Sequence, residues 1–73
     1  MNESILKAIE KLYSVLDLDG EGILDDIKND YLSENVTRSG RTVLWYICGD
    51  KSVTMYVDSL EIMSEEEIET ELL

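Results

Sequence analysis

Histidine and proline are missing altogether, cysteine and tryptophan occur once each, and only six of 73 residues are Lys or Arg. Each shortage removes a class of chemistry. Without histidine the commonest general base and metal-binding imidazole is gone, and the lone thiol, Cys48, has no imidazole to activate it. One cysteine makes no internal disulfide, and no His/Cys cluster offers a zinc site. No apolar run approaches bilayer-spanning length, and Met1-Asn2-Glu3-Ser4 lacks the basic region and apolar stretch of a signal peptide. No glycine loop has phosphate-binding spacing. The expectation is a cytoplasmic protein that is not an enzyme and needs no cofactor.

Acid is what the chain has in abundance: 17 Asp and Glu, for a net charge of −11. The carboxylates cluster. Asp58, Glu61, Glu65, Glu66, Glu67, Glu69 and Glu71 fill the C-terminal stretch with no Lys or Arg among them, and a second group that includes Asp25, Asp26 and Asp30 lies between positions 17 and 34. Between 35 and 51 the balance reverses, with Arg38, Arg41 and Lys51 outweighing Asp50. A field of this sign repels nucleic acid and anionic membrane and attracts basic surfaces, while self-repulsion weakens the compact state.

A chain of this length forms a single domain, 1–73, near the lower limit for folding alone. Such domains are usually stapled by disulfides, metal or self-association, and with the first two absent the expectation is a homodimer. Ile5, Ile9, Leu12 and Leu16 recur at helical spacing, which predicts a helix over 3–17 capped by Asn2 and broken by Gly20 and Gly22. Leu24, Ile27 and Tyr31 predict a shorter second helix, followed by a polar connector over 33–41. Segments 42–48 and 53–57 are β-branched and aromatic and predict a hairpin with a four-residue loop over 49–52. Its expected faces are Val43, Trp45 and Ile47 with Val53, Met55 and Val57 on one side, and Leu44, Tyr46 and Cys48 with Thr54 and Tyr56 on the other. Ser64-Glu65-Glu66-Glu67 is a capping box that opens a last helix with Ile68 and Leu72 on its apolar edge. The order is α-α-β-β-α, an α+β fold whose hairpin leaves both edges open.

Residues 17–28 resemble an EF-hand loop: Asp17, Asp19 and Glu21 stand at the first three coordinating positions, Gly22 at the glycine position and Leu24 at the apolar one. The resemblance implies a divalent-cation module. It breaks at the last position, where the bidentate carboxylate is replaced by Lys28. Helices followed by a hairpin also suit a winged-helix DNA reader, with Arg38, Arg41 and Lys51 near the wing. The overall field opposes that, because DNA affinity comes from Lys and Arg on phosphates.

The best fit to these observations is a small acidic inhibitor that docks on the basic surface of a nucleic-acid-binding protein as a DNA or RNA mimic. In size and charge it resembles the acidic proteins that phages and mobile elements direct against host enzymes or defence systems. Asp58, Glu61, Glu65, Glu66, Glu67, Glu69 and Glu71 would replace phosphates, with Asp25, Asp26 and Asp30 as a second row and Tyr46 and Tyr56 as surface anchors. Two alternatives are an adaptor that associates through the apolar hairpin face and a cation-binding module at Asp17, Asp19 and Glu21.

Overall fold

The computed structural model describes residues 3–18 and 20–73. Helix α1 (Glu3–Leu16) is followed by a 3-10 turn at Gly20–Gly22, helix α2 (Ile23–Lys28), strands β1 (Leu32–Val36), β2 (Thr42–Cys48) and β3 (Lys51–Tyr56), and helix α3 (Glu65–Glu71). The strands form an antiparallel sheet in the order β1-β2-β3. The α+β class and the hairpin are as expected, and a third strand joins them.

Helix α1 buries Ile5, Ala8, Ile9, Leu12 and Tyr13, the stripe that its spacing predicts. It ends at Asp17 rather than at the glycines. Asp17 takes a φ of 57°, its N–H donates to the Ser14 carbonyl, and the Leu18 N–H donates back to Tyr13 at 2.9 Å. This is a Schellman closure, with an aspartate in the left-handed position usually held by glycine and Leu18 packed on the core behind it. The proposed Asn2 cap lies outside the described residues. Helix α2 closes the same way: Asp30 has a φ of 61°, and the Tyr31 N–H donates to the Asp26 carbonyl at 2.8 Å. With only six residues, α2 buries none of its side chains completely, and Leu24 is 79 % exposed. Its apolar stripe is therefore much less covered than its spacing suggests.

The 33–41 connector is instead a strand and a turn. Leu32 to Val36 pair with Tyr46 to Thr42, although Ser33, Glu34 and Asn35 are poor strand formers. The open edge of β2 and the burial of Leu32 outweigh that preference. Thr37 then closes the turn: its N–H donates to the Arg41 carbonyl at 2.8 Å and its Oγ1 accepts from the Arg41 N–H at 3.0 Å. Gly40, at a φ of 89°, makes the reversal.

The β2–β3 loop has two residues, since Cys48 pairs with Lys51. Gly49 at a φ of 63° supplies the sign that a tight hairpin needs. An even-length loop pairs odd-numbered residues with even-numbered ones, so the expected faces are corrected. Leu44 stands opposite Met55 and Tyr46 opposite Val53, and these residues, with Leu32, form the main core against α1. Tyr13 and Tyr46 meet there edge to face, ring centroids 5.8 Å apart. Val43 and Tyr56 point to the opposite side and form a second cluster with Met63, against which Ile68 and Leu72 of α3 pack.

The edges are unequal. Residues 61–63 run beside β3, where the Tyr56 N–H donates to Glu61, the Met63 N–H donates to Thr54, and Met55 bridges Ile62. Leu60 turns the chain there at a φ of 61°, a conformation that crowds a leucine Cβ. Its side chain packs against the main core. Since β1 covers the β2 side and residues 61–63 cover β3 at Thr54–Tyr56, the hairpin has neither edge wholly open, and β1 is an edge strand with no strand beyond it among the described residues.

Candidate functional site

The C-terminal carboxylates divide into those that fasten α3 to the sheet and those that face solvent. Glu67 belongs to the first group. Its Oε1 accepts from the Ser64 N–H at 3.2 Å and its own N–H donates to Ser64 Oγ at 3.2 Å, which completes the capping box. Its Oε2 accepts from the Tyr56 hydroxyl at 2.9 Å. The Ser64 amide and then the Tyr56 hydroxyl hold the Glu67 carboxyl below its ordinary pKa. The same bond pushes the Tyr56 phenol up, because it favours the protonated phenol beside an anion.

Glu71 fastens the other end. Its Oε2 accepts from the Ser39 hydroxyl at 2.7 Å and the Ser39 N–H at 3.2 Å, while its carbonyl accepts from the Arg38 N–H at 3.0 Å. Arg38 also donates to the Leu73 carbonyl. The two Ser39 bonds draw the Glu71 pKa down. Periodicity gives Glu71 no role within α3; the role comes from the β1–β2 turn.

Asp58 is also committed internally. Arg41 grips it with two bonds, Nε to Oδ2 at 3.1 Å and Nη2 to Oδ1 at 2.7 Å, and this bidentate contact lowers the Asp58 pKa. The same guanidinium lies 3.6 Å from the centroid of the Tyr56 ring, within cation–π range. Arg41 therefore serves the Tyr56–Glu67 network and is not a free wing residue.

Glu61, Glu65, Glu66 and Glu69 are exposed. Arg41 is paired with Asp58 and its charge also reaches Glu61, whereas among the described residues no ion pair with Lys or Arg is formed by Glu65, Glu66 or Glu69. Glu65, Glu66 and Glu69 fall within one face of α3, neighbours at i,i+4 lying roughly 5–6 Å apart. The helix holds three outward carboxylates at fixed spacing because Glu67, Glu71 and Ser64 hold the helix.

The second acidic group does not join them. Helix α2 leads into the first residue of β1, whereas α3 lies against the turn beyond its last residue, and five strand residues span roughly 17 Å. Within that group Asp26 accepts from the Tyr13 hydroxyl at 2.5 Å. Burial first, and then Asp26, push the Tyr13 phenol well above its ordinary pKa. Asp30 is the left-handed closing residue of α2, and Asp25 is exposed. The two acidic rows occupy opposite ends of the sheet and make no continuous stripe.

The aromatic anchors are corrected outright. Tyr46 is 3 % and Tyr56 5 % exposed, because β2 and β3 are sandwiched between α1 and α3 and each ring fills one of the two clusters. The half-buried aromatic on this sheet is Trp45, on the Val43 face beyond the reach of α3. Within the EF-hand-like stretch the 3-10 turn at Gly20–Gly22 runs straight into α2 at Ile23, which puts helix where that motif has later loop residues. Asp17 is the closing residue of α1, Glu21 sits in the 3-10 turn, and Asp19 lies outside the described residues. Among the described residues no group of three carboxylate or thiol side chains is placed to hold a metal ion.

The β1 edge and the groove beside it have no counterpart in the expectations from sequence. The one available signal is the alternation of Leu32, Glu34 and Val36 across otherwise polar residues. Among the described residues no helix is long and apolar enough to cross a membrane. Comparison with protein-family models, curated proteins and solved structures finds no match.

Proposed function

We propose that this chain is an acidic protein-binding inhibitor that lays the outward face of α3 on a basic surface of a nucleic-acid-binding protein. The observation that carries the reading is the division of labour in α3. Glu67 and Glu71 fix the helix to the sheet, and Glu65, Glu66 and Glu69 stand out from it with no Lys or Arg paired to them. Like charges at i,i+4 cost a few tenths of a kcal/mol in the free protein, a cost removed when a partner brings Lys or Arg to them. The −11 field would speed encounter with that partner. The two cations near α3 are both engaged, Arg38 with the Leu73 carbonyl and Arg41 with Asp58, and the excess of carboxylates around them opposes direct binding to nucleic acid.

The test is capture from a lysate at low and high salt, followed by competition against nucleic acid for the recovered partner. The wild-type chain displaces the nucleic acid, and Glu65→Lys/Glu66→Lys/Glu69→Lys, with its fold checked by circular dichroism, does not. Equal displacement by both proteins would sink this reading.

One observation favours a second reading, an adaptor or homodimer that associates through the sheet face. Helix α3 covers only the Val43–Tyr56 end of its face. At the other end Ile47 is 45 % exposed, next to half-buried Trp45 and to Tyr31, whose carbonyl accepts from the Ile47 N–H. Association there would hardly respond to salt, whereas docking through α3 would weaken steeply.

A further inference from the structure

We propose that the open β1 edge, with the groove beside it, takes an extended basic segment of a partner protein as a fourth strand. The backbone sets the first requirement. Ile47 donates to Tyr31 and Thr37 donates to Arg41, so odd-numbered residues along β1 exchange hydrogen bonds with β2. By alternation the N–H and C=O groups of Leu32, Glu34 and Val36 point away from the sheet. They form a five-residue edge with the polarity and spacing that an added strand needs.

The side chains set the second requirement. Leu32 and Glu34 stand opposite Tyr46 and Leu44, on the face that carries α1. Along that side runs a groove of about 300 Å³, floored by Ile5, Ile9, Ile27, Leu32 and Leu44. An incoming residue paired with Leu32 places its side chain on the groove side, and one paired with Glu34 lies beside a carboxylate. Asp30 and Glu34 are the charged residues of the lining, and no Lys or Arg lines it. The matching segment carries an apolar residue and a Lys or Arg two positions apart, since opposite charges directly across a sheet are favourable and like charges are not.

A second copy of the chain fits this edge poorly. Full-length antiparallel pairing of two β1 strands centres on Glu34 and sets that carboxylate against its own copy, between two chains of −11 each. The site stands apart from the α3 face, so either can fail without the other.

The test is an amide NMR titration of the full chain with the blocked peptide KVTKTLK, which places valine, lysine and leucine opposite Val36, Glu34 and Leu32. The expected result is saturable shifts at the Leu32, Glu34 and Val36 amides, with the acidic peptide EVTETLE binding more weakly. Glu34→Lys narrows that preference by roughly two- to fivefold in Kd, because the pair at position 34 turns from attractive to repulsive while Asp30 and the remaining negative charge still favour the basic peptide. Val36→Pro removes one outward donor at a position where an edge strand accepts proline, and it weakens binding while the core amides keep their positions. Glu65→Gln/Glu66→Gln/Glu69→Gln still shows the β1 shifts, which separates this site from the α3 surface. Shifts confined to α3, equal binding of both peptides, or β1 shifts that track protein concentration without peptide would each overturn the proposal, the last in favour of a second copy.

Discussion

Helices α1 and α3 cover opposite faces of one three-stranded sheet, and they are held there by different physics. Helix α1 sinks five side chains into the main core. Helix α3 has no fully buried side chain. It rests on half-buried Ile68 and Leu72 and on hydrogen bonds to Glu67 and Glu71. Apolar burial is non-directional and tolerates sliding, whereas hydrogen-bonded carboxylates fix the pose and rotation of a helix. A helix that presents charges to a partner gains from the second kind of attachment.

The comparison breaks hardest at α1. Leu12 is completely buried, and Leu12→Ala is expected to cost about 3 kcal/mol through lost transfer energy and the remaining cavity. For so small a domain that is a large part of the total, so urea unfolding followed by circular dichroism should show the midpoint falling sharply for the whole molecule. At α3 the expected loss is smaller and local. Ser64→Ala removes the cap at a cost of about 1 kcal/mol, and hydrogen exchange should rise in α3 while α1 amides keep their protection.

A change of opposite sign tests the sheet between them. Thr54 is 1 % exposed and its Oγ1 has no hydrogen-bond partner, so Thr54→Val should stabilise by about 1 kcal/mol, read as a higher urea midpoint. The smallest effects come from pH. Asp58, Glu67 and Glu71 have lowered pKa values in the folded chain. Their contribution is therefore present above the unfolded carboxylate pKa and is lost as pH falls through the folded values. Tyr13 and Tyr46 are raised by burial, so their contribution holds below the ordinary tyrosine value of 10.0 and fades as pH climbs above it. Hydrogen exchange across an acid titration should show α3 loosening before α1.

These contrasts also explain what the sequence could reveal. Local signals survived into the structure: the Ile5–Ile9–Leu12 spacing, the Ser64–Glu67 capping box, and the β-branched hairpin. Each depends on residues within a few positions of one another. Strand β1 was hidden because Ser33, Glu34 and Asn35 carry no strand preference of their own and are ordered by the edge of β2. The hairpin faces were legible but misassigned: the expected four-residue loop is even in length, as the observed two-residue loop is, and either one matches odd-numbered residues with even-numbered ones. Asp17 and Asp30 looked like members of an acidic field, yet the backbone uses both as left-handed helix ends. Glu71 looked like a partner-facing carboxylate because the residue it bonds, Ser39, is 32 residues away. Periodicity within α3 does not disclose which of its carboxylates are fasteners.

That division is tested most directly by comparing amide exchange in two triple variants of matched charge loss. Asp58→Asn/Glu67→Gln/Glu71→Gln should lose protection throughout α3 while α1 stays protected, and Glu65→Gln/Glu66→Gln/Glu69→Gln should leave α3 as protected as in the parent. Equal loss in both variants, or loss only in the second, would contradict the account of α3 as a helix fastened by some carboxylates so that it can present the others.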